Sequence, residues 1–513
     1  MANLRFWILV IGLTAALGAA FFVLPSLGHA LFLSPDETAN AVTTFQLVPN
    51  MALPDFPSFH PRSFVYHEAR LAPVGFLGIP LLMRVLTALL GRWMLVLTTP
   101  VLAMSVVIPL LSFTKKWGRT SQVAAVVSWL TFPTVILYAN RGLFPNLPVV
   151  CLTVWAAWLL WKFEKNSTIA SAGLLTGIAL VIRPVEAVWV LPWVGLAFLQ
   201  HVAPSSLKQR VWKAVTFLAP CLFVCFLGAI VGHSAYGDWL VAGYQLRDPN
   251  VTSAIGTVPV TEAVGETKSW FDTWPFGFHP RNIWFNVKEY LILYLLPWFV
   301  LTLGAVLTLW REKKWRIPLL LAAYTVVALS CIYGEALYQD HVGVNQIALA
   351  NSFLRYLLPL SVFATVAVAW LATWILTKLP RGGRVVVAMT VLCLGTFGLW
   401  TAFSRDDEGL VQTRLELAKY GDIRARAKEV IPTTALVASE RSDKIFFPTW
   451  EHVVSPLPPK DQLHQFVVEG EGQLALFLRT LTPAQVAEWE AAGLHLTPVL
   501  SAGNETLYLA NAL

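Results

Sequence analysis

Long apolar segments recur along most of the chain, and they constrain its fold more than any other feature. A membrane-spanning helix needs about 20 mostly apolar residues, and hydropathy predicts about eleven such spans. Of the 513 residues, 56% are hydrophobic and 13% are charged, whereas soluble proteins carry roughly 25% charged residues. We therefore predict an α-helical polytopic membrane protein. The predicted spans are residues 6–33, 92–113, 120–138, 143–162, 169–182, 184–200, 212–233, 287–310, 316–334, 353–377 and 385–403.

Two apolar segments allow a second interpretation. Residues 169–200 can form one long helix, but Arg183-Pro184 interrupts them and proline breaks or kinks a helix, so we predict two short spans. Gly75–Gly91 contains Arg84 and is predicted to be an interfacial helix. Counting it as a span would disturb the alternation of basic loops downstream.

Short basic clusters between the apolar runs predict the topology. Basic residues concentrate in the cytoplasmic loops of membrane proteins. This rule places the N-terminus in the cytoplasm and puts residues 34–92, residues 234–286 and the tail on the outer face of an inner or plasma membrane. The clusters are Arg5; Lys115, Lys116 and Arg119; Lys162 and Lys165; Lys208, Arg210 and Lys213; Arg311, Lys313, Lys314 and Arg316; Lys378, Arg381 and Arg384.

The chain divides by composition into a transmembrane domain, residues 1–403, and a small extracytoplasmic α/β domain, residues 404–513. The tail alternates helical and strand patterns. Its charged turn Glu440–Lys444 is expected to be solvated. The predicted tail helices are Leu410–Val430 and Pro483–Ala492, and the predicted strands are Ala435–Ser439, Leu474–Leu478, Leu496–Leu500 and Thr506–Ala510.

Charge placement and residue spacing argue against two other classes of partner. The net charge of +7 is spread over short loop clusters, which is typical of topology signals and not of nucleic-acid binding. No His, Cys or Asp cluster has metal-ligand spacing. We predict no cofactor and no required metal, and a divalent ion finds no support.

An acidic pair, Asp36-Glu37, follows directly on the first span. Ser34 and Pro35 predict a helix that begins here and runs to about Val48, with Glu37 completing a Ser-x-x-Glu capping box. Adjacent residues on a helix point about 100° apart, so both carboxylates cannot face one reacting atom. Because Glu37 has a role in the cap, Asp36 is the better candidate for chemistry, although its position also favours the helix dipole.

Several motifs, in this order along the chain, resemble those of the GT-C superfamily of polyprenyl-phosphate-sugar-dependent glycosyltransferases. The resemblance is greatest to the branch of protein O-mannosyltransferases and the lipid A aminoarabinose transferase, and it covers nearly all of residues 1–403. One departure is Asn146, where the family's Arg-x-x-Met-Pro-Asp turn has an acidic residue. The motifs are Ser34–Thr38, Gly75–Gly91, Asn140–Asn146, Gly173–Gly177 with Ile182–Pro184, and Leu354–Pro359.

The resemblance implies a mechanism. A carboxylate of the first outside loop acts as the base, which assigns a catalytic role to Asp36 and includes Glu37 as its neighbour. The base takes the proton of an acceptor hydroxyl, the oxygen attacks the anomeric carbon, and polyprenyl phosphate leaves with inversion. The acceptor is a glycan, a lipid or a protein.

Cations near the membrane surface are expected to bind the donor phosphate. The candidate cations are Arg355, Arg141, Arg183 and Arg62, and Tyr356 beside Arg355 is included with them. Each arginine has an alternative: Arg355 can snorkel to the interface, Arg141 can simply mark the end of a span, Arg183 can pair with Glu186 three residues on, and Arg62 can meet lipid headgroups.

Two other functions remain open from the sequence. A transporter or flippase of lipid-linked intermediates should show two related halves and charges near mid-membrane, and neither is visible. Another enzyme that uses lipid-linked sugars, such as an O-antigen ligase or polymerase, is compatible with the same features. A scaffold that binds through its tail leaves Asp36 unexplained.

Overall fold

The structure is a computed structural model that describes most of the chain. Most of the predicted second outside loop, 234–286, lies outside the described residues. The described residues are 2–25, 32–46, 53, 55–67, 70–237, 239, 243, 246, 279–337, 347–405, 408–450, 452–470 and 472–513.

Contacts between residues divide the chain into two compact units. The helical unit comprises Met1–Leu27, Val96–Leu227 and Val260–Gln412. The α/β unit comprises Gly28–Leu95, Gly228–Pro259 and Thr413–Leu513. The predicted boundary at residue 403 rests on composition, whereas these contacts group the tail with the first loop.

Apolar helices build the helical unit. Within the described residues, seven helices are long and apolar enough to cross a membrane, and two bent helix pairs raise the number to nine. Two further predicted spans correspond to 17-residue apolar helices, Asn146–Lys162 and Asn166–Ile182, so the predicted count of about eleven is not confirmed. The helices that lie wholly or mostly in this unit are Ala2–Gly18, Met94–Ser105, Val107–Thr114, Arg119–Leu130, Pro133–Asn140, Asn146–Lys162, Asn166–Ile182, Ala187–Val202, Leu207–Tyr236, Pro280–Asn286, the π-helix Val287–Tyr294, Leu296–Leu309, Arg316–Tyr333, Ser352–Tyr356, Pro359–Lys378 and Gly383–Ser404.

Prolines create the breaks between several of these helices. Arg183 has φ −148° and ψ 92° and separates Asn166–Ile182 from the turn Pro184–Glu186 and the helix Ala187–Val202. The helical region is disfavoured for a residue before proline, and the prediction of two helices here is confirmed. The pair Arg119–Leu130 and Pro133–Asn140 bends by 53° for the same reason, before Pro133.

Two glycines allow close packing of two helices in the helical unit. A Cβ atom at Gly173 would lie 2.0 Å from the carbonyl oxygen of Phe217, and one at Gly177 would lie 2.7 Å from that of Cys221. Their spacing is the Gly-x-x-x-Gly pattern that lets helix backbones approach in membranes. The motif Gly173–Gly177 thus has a packing role.

The close contact at Gly173 predicts that adding a single methyl group there lowers the stability of the protein. Gly173→Ala should force Asn166–Ile182 and Leu207–Tyr236 apart, and we expect a loss of about 1–3 kcal/mol, seen as a lower melting temperature of the purified protein in detergent. Gly195→Ala is the matched control, since a Cβ there meets nothing within 4 Å. Equal melting temperatures for the two variants would contradict the close packing.

The α/β unit contains a five-stranded mixed sheet in the tail. The strands are β3 (Leu436–Ser439), β4 (His452–Val454), β5 (Leu474–Arg479), β6 (Leu494–Ala502) and β7 (Glu505–Ala512), and the helices are Leu410–Val430, Asp443–Phe446, Lys460–Val468 and Pro483–Ala491. The strand order is β4-β3-β5-β7-β6, with β3 parallel to β4 and β5 and with β7 antiparallel to β5 and β6. All the predicted tail strands and helices are present, whereas β4 and the helices Asp443–Phe446 and Lys460–Val468 were not predicted.

The first loop contributes the other elements of this unit. The helix Pro35–Phe45 is followed by a hairpin of β1 (Phe64–His67) and β2 (Arg70–Pro73) and by the helix Gly78–Leu90. The predicted helix between Gly75 and Gly91 is therefore present. Its 13 residues extend about 20 Å, less than the 30 Å of a bilayer core.

Two phenylalanines of the first loop complete the core of the tail. Phe56 and Phe59 are buried in the cluster that includes Phe466 and the inward-facing residues of the sheet. Their rings lie 4.8 Å apart, and each contacts Phe466. Burying each ring contributes roughly 1.5–3 kcal/mol, so the tail and the first loop share one hydrophobic core.

Candidate functional site

Three of the arginines predicted to bind phosphate lie where apolar helices end. Arg141 and Arg183 each occupy the first position after a helix. Arg355 lies in the five-residue helix Ser352–Tyr356. Arg141 and Arg183 are 8% and 7% exposed, so these charges are largely withdrawn from solvent.

The ring of Phe144 joins two of these arginines. The guanidinium carbon of Arg141 lies 4.4 Å from the ring centroid, and that of Arg355 lies 5.0 Å from it. Guanidinium groups bind aromatic faces electrostatically, and this attraction grows when water is excluded. Phe144 therefore holds Arg141 and Arg355 close to each other.

Tyr356 joins Arg355 to Arg183. The guanidinium carbons of Arg355 and Arg183 lie 5.1 Å and 5.0 Å from its ring centroid. Arg355 also donates a hydrogen bond of 3.1 Å to the Tyr356 hydroxyl. The ring stacks on Tyr333 with centroids 3.9 Å apart, so all three arginines belong to one connected cluster.

Glu186 anchors the Arg183 end of this cluster. Its carboxylate lies 3.0 Å from Arg183 Nε and accepts a 3.1 Å hydrogen bond from the Tyr333 hydroxyl. The same hydroxyl accepts from Arg183 at 3.1 Å, and Trp189 donates its indole N–H to Glu186. The alternative in which Arg183 pairs with Glu186 is therefore what the structure shows.

Buried asparagines hold the backbone on which two of the arginines sit. The side-chain amide of Asn140 donates to the carbonyls of Ala20 and Ile136 and accepts from the N–H of Leu24. Asn351 caps the helix Ser352–Tyr356 by accepting from the N–H of Phe353 at 2.9 Å. Such bonds limit the movement of Arg141 and Arg355.

We call this group the arginine cluster. Among its members within the described residues, guanidinium groups outnumber carboxylates three to one. The planar guanidinium matches phosphate oxygens with paired hydrogen bonds, so the arrangement suits an anionic phosphate. Its members are Arg141, Phe144, Arg183, Glu186, Tyr333, Arg355 and Tyr356.

The acidic pair lies in the α/β unit, at the start of the helix Pro35–Phe45. Ser34 caps this helix by accepting a 3.2 Å hydrogen bond from the N–H of Asp36, one position earlier than the capping-box pattern predicts. Glu37 is 3% exposed, whereas Asp36 is only partly buried. The two carboxylates thus differ in environment, as their helical spacing requires.

A serine from the loop holds Asp36. The hydroxyl of Ser63 donates a 2.5 Å hydrogen bond to Asp36 Oδ1. Ser63 has φ 65°, a left-handed conformation that is uncommon for a residue other than glycine. The adjoining backbone is held by the N–H of Val74, which donates to the Ser63 carbonyl at 2.9 Å.

Arg62 has a partner in the tail. Its Nε and one terminal nitrogen donate to Asp443 Oδ1 at 2.9 and 2.6 Å, and its backbone N–H donates to Oδ2 at 3.1 Å. The side chains of Arg62 and Asp443 are 11% and 3% exposed. Within the turn expected to be solvated, Glu440 and Arg441 are exposed, but the expectation was wrong for Asp443. Arg62 is part of a buried ion pair, and we do not include it in the phosphate site.

Comparisons with known proteins identify the fold. No family model matches the chain, and no curated protein matches it. Among solved structures, ArnT of Cupriavidus metallidurans matches in its apo state with a TM-score of 0.54 and 12% identity, over 100% of this chain and 99% of that one. ArnT bound to undecaprenyl phosphate matches with a TM-score of 0.57 and 11% identity, over 98% of each chain.

This chain has the fold of ArnT. ArnT is an aminoarabinose transferase and a GT-C glycosyltransferase, and the similarity extends over the whole of both chains. The predicted fold class, a polytopic helical membrane protein with a small C-terminal sheet, is confirmed. The protein is an integral membrane protein, and its predicted orientation stays a prediction.

The shared fold does not determine whether a metal ion binds, so we consider the side chains that could hold one. Within the part of the chain that the structure describes, no three His, Cys, Asp or Glu side chains lie close enough to hold a metal ion. Asn146 stands where the Arg-x-x-Met-Pro-Asp turn has its acidic residue. It is 4% exposed and begins the helix Asn146–Lys162.

Several residues around these groups escaped the sequence analysis. Tyr333 ends an apolar helix, where an interfacial anchor is the ordinary interpretation. Ser63 and Asp443 carry no motif, and their contacts join positions far apart in the chain. Phe144 was named only as part of the motif Asn140–Asn146, and Glu186 only as a possible partner of Arg183.

Glu335, just beyond the helix Arg316–Tyr333, is a buried acid. It is 1% exposed, and neither carboxylate oxygen has a hydrogen-bond partner among the described residues. Burial raises the pKa of Glu335 from its ordinary value of 4.5 to about 7. An isolated buried carboxylate avoids ionisation because charge is costly away from water.

The raised pKa makes stability depend on pH. Because folded Glu335 holds its proton more tightly than the unfolded chain does, the unfolding free energy should fall as pH rises from about 4.5 through about 7. Glu335→Gln removes this titration. We expect its melting temperature to match wild type at pH 5 and to exceed it by about 1–3 °C at pH 8.5; a difference that is the same at both pH values would refute the assignment.

Proposed function

We propose that this protein is a membrane glycosyltransferase that moves a sugar from a polyprenyl-phosphate-linked donor to an acceptor hydroxyl on the outer face of the membrane. The acceptor belongs to a cell-envelope glycan, a lipid or a protein. The partners are therefore the lipid-linked donor, that acceptor and the bilayer, and nucleic acid is not among them.

The arginine cluster is the observation that carries this proposal. The leaving polyprenyl phosphate gains negative charge as its bond to the sugar breaks. Guanidinium groups already fixed in a water-poor site stabilise such charge without reorganising. Phe144 and Tyr356 supply the fixation, since their rings hold the guanidinium groups of Arg141, Arg183 and Arg355.

Asp36 is the proposed base. Its carboxylate takes the proton of the acceptor hydroxyl while the hydroxyl oxygen bonds to the anomeric carbon. The bond from that carbon to the phosphate oxygen breaks, and its electron pair leaves with the polyprenyl phosphate. A single displacement from the side opposite the phosphate inverts the anomeric centre.

The different environments of the acidic pair support this choice. Asp36 is partly exposed, so an acceptor can approach it. Glu37 is buried at 3% exposure, and we assign it a structural role at the start of the helix. The catalytic role first given to both residues is thereby narrowed to Asp36.

Removing the base should abolish most of the transfer. Asp36→Asn keeps the size of the side chain but cannot accept the proton, and we expect transfer to fall by about 10²–10⁴-fold. The assay follows radiolabelled sugar leaving undecaprenyl-phosphate hexose or pentose, with membranes from a strain that lacks this protein as the source of acceptor.

The matched control is Asp422→Asn, a tail residue whose side chain is 67% exposed. It should transfer sugar at the wild-type rate. Transfer by Asp36→Asn at the wild-type rate, with any donor that the wild-type protein uses, would refute the proposed base.

Removing Arg355 should weaken binding of the donor phosphate. The charge-assisted hydrogen bonds that Arg355→Ala removes are worth about 1.5–3 kcal/mol, so the affinity for undecaprenyl phosphate should fall roughly 10- to 150-fold. Titration of purified protein in nanodiscs measures this without an acceptor. Exposed Arg414→Ala in the tail is the control, and equal affinities for the two variants would exclude Arg355 from the phosphate site.

A further inference from the structure

The segment of residues 55–64 contacts the tail at several points. Phe56 and Phe59 lie in the core of the tail. The N–H of Ser455 donates to the carbonyl of His60 at 3.1 Å. Phe64 packs edge-on against Phe447, with ring centroids 5.6 Å apart. These contacts fix the path of the loop on both sides of Arg62 and Ser63.

The ion pair of Arg62 and Asp443 lies at the centre of this contact. Asp443 binds both the side chain and the backbone N–H of Arg62. Arg62 also donates to the carbonyl of Arg441 at 2.5 Å. Two guanidinium nitrogens of Arg62 donate to Oδ1 of Asp443 and the backbone N–H donates to Oδ2, so one carboxylate holds both the side chain and the backbone of Arg62.

Ser63 follows immediately and reaches Asp36. Its left-handed backbone conformation turns the chain, and its hydroxyl meets Asp36 Oδ1 at 2.5 Å. The short helix Asp443–Phe446 also contacts the helix Pro35–Phe45 that carries Asp36. The tail is therefore linked to the candidate base by two indirect routes, through Arg62-Ser63 and through the helix that carries Asp36.

We propose that Ser63, Arg62 and Asp443 are positioning residues for Asp36, and that the tail exists in part to hold the base in place. This inference rests on the proposed function, because it assigns a purpose to the surroundings of Asp36. Ser63 occupies one carboxylate oxygen and leaves Oδ2 to receive the proton. Arg62 acts through Ser63 and not on the donor phosphate.

The physical reason is the sensitivity of a base to its position. Proton transfer requires the two heavy atoms to lie about 2.6–3.2 Å apart. A carboxylate at the first turn of a helix can rotate about its side-chain bonds, and a hydrogen bond to one oxygen selects one of those orientations. Functional groups need to be held within about 0.5 Å of their working geometry, which a buried ion pair next to the contact provides.

Two substitutions at Ser63 distinguish the effect of its hydroxyl on activity from the effect of its backbone conformation. Ser63→Gly removes the hydroxyl and suits a positive φ, whereas Ser63→Ala removes the hydroxyl and keeps the same backbone cost. If the hydroxyl is what matters, both variants should lose about 10- to 100-fold in kcat with KM for undecaprenyl-phosphate sugar within two-fold of wild type. A loss in Ser63→Ala alone would overturn the proposal.

Asp443→Asn tests whether the tail contributes to the positioning of Asp36. It should lower kcat in the same range, again with unchanged KM for the donor and unchanged affinity for undecaprenyl phosphate. The control is Glu488→Gln, which breaks the exposed ion pair of Glu488 with Lys460 and should leave kcat unchanged. Melting temperatures of all variants show whether the tail still folds. If Asp443→Asn does not fold, the kcat values of the Ser63 variants alone decide whether the positioning role holds.

A second substitution in the Asp36→Asn background completes the test. Because Ser63 acts through Asp36, Ser63→Gly should cause no further loss there. A further loss in this background would overturn the positioning role. Absence of sugar transfer by the wild-type protein overturns the proposed function itself. Full activity of Asp36→Asn refutes the base and this inference with it. An inactive Asp36→Asn beside a wild-type kcat for Ser63→Gly and Asp443→Asn overturns only this inference.

Discussion

Charge removed from water has to be matched by specific partners, and this constraint organises the polar parts of the protein. Arg183 pairs with Glu186 and meets the hydroxyl of Tyr333, and Arg62 pairs with Asp443. Breaking a buried pair leaves an uncompensated charge and costs about 3–5 kcal/mol. The helices and loops that carry these residues are therefore bound to each other by their charges as well as by apolar packing.

Aromatic rings give the arginine cluster its geometry. A guanidinium group on a flexible stem loses conformational freedom when it binds a ligand. Phe144 and Tyr356 remove part of that freedom in advance, because each ring contacts two arginines. Stacking of Tyr356 on Tyr333 passes this restraint to the end of another helix. The cluster is thus preorganised by neutral side chains.

Sequence reasoning succeeded where a local pattern controls the structure. Hydropathy located the apolar helices, the proline rule located the break at Arg183, and alternation located the strands of the tail. The same reasoning selected Arg141, Arg183 and Arg355, which the structure brings together. It took Asp443 for a solvated residue and did not foresee its pairing with Arg62, because the two positions lie 381 residues apart. Nothing in the local pattern marks such a contact, and the left-handed turn at Ser63 leaves no trace in composition.

The shared core of the first loop and the tail has a consequence for biosynthesis. Phe56 and Phe59 leave the ribosome long before Glu505–Ala512, the strand that follows the rest of the sheet that buries them. Their contacts close a loop of about 400 residues, and such long-range closure comes late in folding. The segment beside Asp36 therefore lacks its hydrophobic partner until the tail has been synthesised. A chain truncated before the tail can insert its helices, but it cannot assemble the surroundings of Asp36.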